Sequence, residues 1–548
     1  MNRKHLYLGA FLATAAFSVG FYSGGESLIK IGQQLELFSE VYKEVNTVYA
    51  DEVDPTRLMR TSIDSMLDGL DPYTVFVGES RIEDAKFIQT GRYSGVGIQL
   101  ARHGENVIIT QVVQDGPADK AGIQVGDELI QVDQEVITGP NWKIVDIDNL
   151  IQGEQGASVQ LTIQKDTISQ AVEVVRDYVA ALEGDVSYYS LVNESVGYIK
   201  LDGFGGNAAR EVKQAYDALN DSVELSALVL DLRGNLGGRV DQAIGILNLF
   251  IPKGINVLEM RGSTPQHTRS FTTPFEAVNK EIPLAVLIDE SSASASEIVA
   301  GAIQDLDRGV VVGEQSFGKG LVQNVRPLSY NTQFRITVAK YYTPSGRCIQ
   351  AIDYGNRRED GSLIPTEERQ RNAFSTLSGR KVFDGAGIEP DFTLDFPLEP
   401  EILAALREQH LIFDYVTNFS KNNDSIAEPQ EFQLSDKAFK QFLSYLEQES
   451  FSFHPKSEEK LEQLSTFIEE DPALQTPVAE LLSRIEKAKS GDLKKHEAAI
   501  RKTIQKEIIR RYYYKSGLIQ ASFARDKVVL KATEILLDSN SYQSTLEQ

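Results

Sequence analysis

The sequence has one cysteine, Cys348, among 548 residues. A single thiol cannot close an intrachain disulfide, and it excludes a cysteine-rich zinc site. Basic charge is also short. Lys and Arg number 55 against 79 Asp and Glu, a formal net charge of −24. Binding to a phosphate backbone needs the opposite imbalance, so no nucleic acid is expected as a partner. Histidine is scarce: His5, His103, His267, His410, His454 and His496 are all there are. None stands near the serine-rich run or in a recognisable setting for the usual base of a hydrolytic triad. No internal repeat and no low-complexity tract is present. What remains is globular composition, 41% hydrophobic and 24% charged. The length suits three or four domains at about 150 residues each.

Arg3 and Lys4 precede an almost wholly apolar or small run, Leu6 to Tyr22. A basic start before such a run reads as an export signal over residues 1–25. Two readings stay open. Ser18-Val19-Gly20 and Ser23-Gly24-Gly25 are acceptable small-x-small cleavage sites for a removed peptide. The run also reaches the lower limit, about 17 to 19 residues, for a retained signal anchor. Both place the body of the protein outside the cytoplasm, in the periplasm or cell envelope, with a membrane contact only through this segment.

Texture divides the rest. Residues 26–87 place apolar side chains at helical spacing, for example Leu37, Val41, Val45, Leu58 and Met66. Residues 88–178 hold short Val- and Ile-rich runs split by Gly and Asp, the pattern of a small β-rich domain. Residues 179–395 alternate strand and helix signals. Ala227 to Leu230 and Leu284 to Ile288 are continuous apolar runs, as buried strands require. Residues 396–548 are mostly helical. The stretch Lys494 to Lys515 is basic and carries Tyr512-Tyr513-Tyr514. It suits either a solvated face paired with acidic neighbours or a surface for RNA or lipid headgroups.

Three motifs carry chemistry. Gly95-Val96-Gly97-Ile98 offers consecutive backbone N–H groups beside a strand edge. Gly116-Pro117-Ala118-Asp119-Lys120-Ala121-Gly122-Ile123 then starts and ends a short helix. A nest of N–H groups suits a peptide carboxylate, and the strand edge pairs with the peptide backbone. These runs resemble a PDZ domain of the protease-associated type, with a helix near 142–152 as the second groove wall. The second motif is Ser291-Ser292-Ala293-Ser294-Ala295-Ser296-Glu297, at a strand-to-helix turn. It is consistent with an exposed nucleophile at a helix N-terminus, and equally with a serine cap. The third is Phe317-Gly318-Lys319-Gly320, with Gln323 beyond it. Without a histidine, a serine needs another base, and a lysine serves if burial lowers its pKa.

The last two motifs together resemble the C-terminal processing (tail-specific) serine peptidases. Further matches are Leu230-Asp231-Leu232-Arg233-Gly234-Asn235 with Gly237-Gly238, then Tyr341-Tyr342-Thr343-Pro344-Ser345-Gly346-Arg347, then Gly387-Ile388-Glu389-Pro390-Asp391. The resemblance spans about residues 30–395. It implies an α/β, crotonase-like Ser-Lys peptidase core with an inserted β-rich PDZ domain. It also implies roles: Ser294 as nucleophile, Lys319 as general base and Gln323 holding that lysine. Ala295 and the Gly237-Gly238 turn, Gly237 slightly favoured, would form the oxyanion hole. Gly95, Val96, Gly97 and Ile98 would bind the peptide. No metal and no cofactor is expected, and a homo-oligomer stays open. The partners implied are protein or peptide C-termini. Two departures are visible. The helical stretch after 396 is longer than the family pattern, and Leu236 stands where relatives often carry proline. Asp231 and Arg233 are expected to hold their turn, and Ser292, Ser296 and Glu297 to be structural. Two other functions compete: a catalytically silent PDZ scaffold, and an acyl-CoA hydrolase or isomerase on the same core.

Overall fold

The computed structural model describes residues 29–78, 94–137, 139, 142–165, 168–179, 184–330, 332–358, 362–364, 370–394, 399–468, 472–489 and 491–547. The expected signal or anchor at 1–25 lies outside the described residues. The chain forms two compact units.

The smaller unit takes Met1–Phe76 and Val325–Ile336. Helix α1 covers residues 29–48 and α2 covers Pro55–Asp68. The Asp54 carboxylate caps α2 by accepting the Thr56 and Arg57 N–H groups at 2.8 and 3.2 Å, and Pro55 supplies a preset φ at the first position. Asp71 makes the turn expected at Leu70-Asp71-Pro72-Tyr73, accepting the Tyr73 and Thr74 N–H groups. Strand β1 (Val75–Val77) follows. The Arg60 guanidinium lies 4.7 Å over the Phe76 ring.

In the larger unit the β-rich domain comprises β2 (Ser94–Gly95), β3 (Ile98–His103), β4 (Asn106–Val112), α3 (Pro117–Lys120), β5 (Glu128–Val132), β6 (Glu135–Val136), α4 (Ile144–Ile151), β7 (Ser158–Lys165), β8 (Ile168–Val175) and β9 (Asp177–Tyr178). Its sheet runs β3-β4-β5-β7-β8 with β6 beside β5, and β3 is an edge strand. Alternation along the strands sends Val107, Ile109, Leu129, Leu161 and Ile163 into one core with Ile147 and Ile151 of α4.

The α/β core follows: β10 (Val186–Leu191), β11 (Val196–Leu201), α5 (Ala208–Ser222), β12 (Ala227–Asp231), α6 (Val240–Phe250), β13 (Asn256–Gly262), β14 (Arg269–Thr272), β15 (Leu284–Ile288), α7 (Ala295–Asp305), β16 (Val310–Gly313), β17 (Leu321–Leu328), β18 (Thr332–Tyr342), β19 (Ala373–Ser375), β20 (Lys381–Phe383) and β21 (Phe392–Thr393). The main sheet runs β10-β11-β12-β15-β16-β21, parallel except at β10. Elsewhere β13 lies between β14 and β18, and β17 pairs with β18.

Both faces of a parallel sheet must be covered, and here two different parts of the chain do it. Leu228, Leu230, Val286 and Ile288 face α5, α6 and α7. Ala227, Val229, Ala285 and Leu287 face the opposite way, onto Phe523, Val528, Val529, Ala532, Ile535 and Tyr542. The end of the helical extension is therefore the third layer of the core.

The extension contains α8 (Glu401–Glu408), α9 (Leu411–Lys421), α10 (Asp436–Gln448), α11 (Lys456–Phe467), α12 (Pro472–Lys489), α13 (Glu497–Ser522), α14 (Lys527–Leu537) and α15 (Ser539–Glu547). Its own core joins Leu406, Val416, Phe442, Ile500, Ile504 and Ile508. Helices α8 and α9 are separated at His410, whose φ is 58°. Among the described residues, no helix is long and apolar enough to cross a membrane.

Candidate active site

Strand β15 ends at Ile288 and delivers the serine run to the N-terminus of α7. Ser292 and Ser296 are buried and their hydroxyls are spent on backbone: Ser292 Oγ donates to Leu232 O at 2.9 Å, and Ser296 Oγ to Asn235 O at 2.8 Å. They pin the 232–235 turn against α7. Ser294 differs. It is half-buried, and its backbone has φ 56° and ψ −109°, a strained setting for a residue with a side chain. Its position puts it at the positive end of the α7 dipole.

Glu297 holds this point in place. Its side chain is fully buried and accepts four hydrogen bonds. Oε2 takes the N–H of Ser294 and the N–H of Lys319, each at 2.8 Å. Oε1 takes the N–H of Gly318 and the Ser316 hydroxyl, each at 2.7 Å. The Ser294 and Lys319 backbone nitrogens therefore lie no further apart than twice the length of one such bond. Burial pushes the Glu297 carboxyl above the usual carboxylate range, against the pull of those donors. Sequence reasoning read Glu297 as a first-turn helix acid. The missing signal is tertiary, because the three partners at 316–319 lie on another loop.

The glycines around Lys319 are there for close approach. A Cβ on Gly318 would meet the Ala351 Cβ at 2.4 Å, and one on Gly320 the Gln350 N at 2.6 Å. Lys319 itself is half-buried. Gln323, on β17, donates from Nε2 to Thr337 Oγ1 at 3.3 Å. Gly387 approaches so closely that a Cβ would sit 2.6 Å from Ser316 Oγ and 3.0 Å from Glu297 Oε1.

The Gly237–Gly238 turn packs on the same point. A Cβ on Gly237 would lie 2.8 Å from the Ser294 Cβ and 2.9 Å from the Ala295 N. The Ala295 N–H donates to no acceptor among the described residues. The Gly237 N–H donates to Asn235 Oδ1 at 2.9 Å, so in this structure it is engaged inside its own turn. The Gly238 N–H has no such partner among the described residues.

The peptide-binding candidates lie together at the end of the β-rich sheet. Val96 is buried and Gly97 has φ 79°. Val96 O accepts the Ala118 N–H, and Gly97 O the Val113 N–H, both at 2.9 Å. Those bonds tie the 95–98 loop to α3 and to the residue after β4 while leaving the Val96 and Gly97 N–H groups without an acceptor among the described residues. Ile98 opens edge strand β3, whose side chains share a core with α4.

The model of peptidase family S41 matches residues 195–355, a PDZ domain model 108–165, and the C-terminal helical domain of probable PDZ-proteases 402–536. The carboxy-terminal-processing protease of Bartonella bacilliformis is 34% identical over 325 residues, covering 58% of this chain and 73% of that protein. The chain belongs to peptidase family S41. The carboxy-terminal processing protease CtpA of Bacillus subtilis is 27% identical over 356 residues, 63% of this chain and 74% of that one. A solved photosystem II D1 C-terminal processing protease aligns at 25% identity with a TM-score of 0.37, covering 67% of this chain and 95% of its own. This S41 member is thus a serine-type peptidase of the carboxy-terminal-processing class with a PDZ domain.

Behind the active turn of this peptidase lies a charged frame. Asp231 is buried and binds Tyr198 Oη at 2.7 Å, the Arg233 guanidinium at 2.6 Å and Lys200 Nζ at 3.6 Å. Burial pushes its carboxyl up, but the Lys200 and Arg233 charges together outweigh that and hold it down at about 2. Its stabilisation is present above the ordinary carboxylate value and is lost as pH falls from about 4 toward 2. Asp231→Asn removes the charge that Arg233 and Lys200 share and leaves them only Asp526 and Asp202, so it should cost roughly 3 kcal/mol at pH 7. Urea unfolding checks this, and the variant's acid-unfolding curve should lack the wild-type fall in that window. Arg233 also reaches Asp526, the cap of α14, at 2.9 Å, which joins the frame to the third layer.

Proposed function

We propose that this S41 peptidase cleaves protein or peptide substrates whose C-terminal tails it holds at its PDZ domain, using Ser294 and Lys319 as a catalytic dyad. The observation that carries the reading is the Glu297 carboxylate, one oxygen of which accepts both the Ser294 and the Lys319 N–H. Residues separated by twenty-five positions are thereby fixed to one anchor. Ser294 Oγ attacks the scissile carbonyl while the neutral Lys319 amine takes its proton. The ammonium then returns that proton to the leaving amine nitrogen, and water repeats the cycle on the acyl-enzyme. The tetrahedral oxyanion is met by the Ala295 N–H at the α7 N-terminus and by an N–H of the Gly237–Gly238 turn. Since Asn235 holds the Gly237 N–H, the turn either donates from Gly238 or releases Gly237 when substrate arrives. Gln323 steadies the lysine from β17.

In the groove, the N–H groups of Val96 and Gly97 take the substrate carboxylate, and the free edge of β3 from Ile98 onward pairs with the tail backbone. The basic start and apolar run before residue 25 support an extracytoplasmic site of action, with that segment removed or kept as an anchor. Full-length protein should cleave a peptide with an apolar C-terminus, as read by mass spectrometry of the products. Amidating that C-terminus should weaken binding at least about tenfold by removing the charge the N–H nest receives. Equal binding of the acid and the amide in fluorescence anisotropy would discard the groove assignment.

A further inference from the structure

We propose that the outer face of α13 and the start of α14 form a basic patch, Lys502, Lys506, Arg510, Arg525 and Lys527, that docks on an anionic phospholipid bilayer and holds the peptidase core at its surface. This contact is additional to the cleavage proposed above and does not depend on the dyad or groove readings. The stretch 502–527 carries seven Lys and Arg against two acids, Glu507 and Asp526, in a chain whose formal net charge is −24. Packing occupies two of the seven cations. The Arg511 guanidinium turns inward and holds Val125 O and Thr417 Oγ1, each at 3.0 Å. Lys515 Nζ lies 2.8 Å from Asp202 Oδ2 of the peptidase core. The other five are exposed. Lys502, Lys506 and Arg510 recur every four residues along α13, so they stand in one row with their Cβ atoms about 5–6 Å apart.

Neither acid neutralises this face. Glu507 is shared, 3.7 Å from Arg510 and 3.9 Å from the inward Arg511. Asp526 is committed elsewhere. It caps α14 by accepting the Val528 and Val529 N–H groups at 2.8 and 3.2 Å, and it pairs with Arg233 at 2.9 Å. Lys502, Lys506, Arg525 and Lys527 have no carboxylate within ion-pair distance among the described residues. Like charges four residues apart on a helix repel. Partial desolvation lowers the affinity of the Lys506 amine for its proton, and the Lys502 and Arg510 charges lower it further against the pull of Asp526. An array of anionic groups relieves that repulsion along the whole row.

The chemistry and the route of the chain point to one occupant. Phosphodiester oxygens accept hydrogen bonds from ammonium and guanidinium groups alike. A bilayer presents them as a continuous surface, which suits a row of cations on a helix face. The export signal expected at 1–25 delivers the chain to a bilayer. The acidic excess of the remaining surface sets the orientation. Charges further away than the Debye length, about 8 Å at physiological salt, are largely screened, so only the patch interacts strongly at contact. Asp526 stands between Arg525 and Lys527 and bonds Arg233, so the docked face is fixed directly to the peptidase core.

The test uses the full chain with vesicles of phosphatidylcholine alone or of phosphatidylcholine and phosphatidylglycerol in equal parts, and reads binding by flotation. Wild type should bind the anionic vesicles roughly 10²-fold more tightly, about fivefold for each cation near the surface. Salt at about 1 M, where the Debye length is about 3 Å, should remove the difference. Combining Lys502→Gln, Lys506→Gln and Arg510→Gln should lose most of that preference, while the melting temperature and the cleavage of a soluble peptide stay unchanged. Combining Lys502→Arg, Lys506→Arg and Arg510→Lys, which keeps every charge, should retain it. In lysine acylation read by mass spectrometry, anionic vesicles should protect Lys502 and Lys506 and leave Lys280, 63% exposed on the peptidase core, reactive. An undiminished preference in the glutamine variant overturns the proposal, and so does protection that misses Lys502 and Lys506. Binding of soluble polyglutamate without any preference for anionic vesicles makes the occupant an acidic polypeptide, and the bilayer reading falls. A wild type that cleaves nothing yet shows the charge-dependent flotation removes the dyad reading and leaves this contact in place.

Discussion

Ser294→Ala and Lys319→Ala are each expected to lower kcat for a tailed peptide by roughly 10⁴-fold or more, with the melting temperature within a few degrees of wild type. Backbone acceptors claim the hydroxyls of Ser292 and Ser296, and not that of Ser294, among the described residues. In the proposed mechanism, removing it deletes the bond-forming atom. In the same mechanism, removing the lysine amine leaves the hydroxyl without its base. Neither residue is a main core element, as both are half-buried, so folding should survive. Lys319→Arg should be as inactive as the alanine, because a guanidinium stays protonated and cannot accept the serine proton. Single-turnover cleavage followed by mass spectrometry decides the matter. A Lys319→Ala protein with a tenth of wild-type activity would sink the dyad.

The second large effect belongs to Glu297. Glu297→Gln is expected to reduce kcat by about 10²-fold or more, the scale set by misplacing catalytic groups by about an ångström. An ionised carboxylate offers acceptors on both oxygens, and all four donors here use them. An amide keeps one oxygen and turns an N–H toward donors that need an acceptor. Either way round, the Ser294 or the Lys319 N–H loses its anchor. The melting temperature should move much less than the rate. Burial already pushes this carboxyl up, so its charged form carries a desolvation cost that the neutral amide relieves. The sign of the pH dependence follows. A raised folded pKa means the folded state takes up the proton more readily than the unfolded chain. The charged form therefore costs stability as pH rises through the window above the ordinary carboxylate value. Activity runs the opposite way. As pH falls through that raised pKa, protonation removes an acceptor and turnover drops. Wild-type kcat should show an acid limb above the ordinary glutamate range, and Glu297→Gln should lack it. An unchanged limb in the variant would assign it to another group.

Much of this was legible in the residues, and the failures have physical causes. The continuous apolar runs at 227–230 and 284–288 are buried strands at β12 and β15, because only a strand covered on both faces tolerates such a run. The Gly-Pro start of α3 and the helix expected near 142–152, found at Ile144–Ile151, follow from local turn chemistry and period. Glu297 is the first-turn acid that a serine followed three residues later by glutamate predicts, but its bonds to 316–319 lie beyond any local pattern. The basic tyrosine stretch offered two readings. In the structure Arg501 pairs with Glu497 and Asp436, while Arg511 and Tyr514 turn inward to the PDZ domain. Its charge alone does not separate a solvated face from an interdomain clamp.

The scarcity of cysteine and histidine, the order of the motifs and the spacing of Ser294 from Lys319 were determined by the sequence alone. The motifs carried the resemblance to the family, which the matches of the chain bear out. Which faces meet was decided only by the tertiary structure. Val528, Val529 and Ala532 are an amphipathic helix like any other until they cover the second face of the main sheet. The Gly237 N–H is a donor in any sequence, but its engagement by Asn235 depends on how that turn is folded. Hydrogen-bond partners far apart in the chain are chosen by packing, and packing is a property of the whole fold rather than of any window of residues.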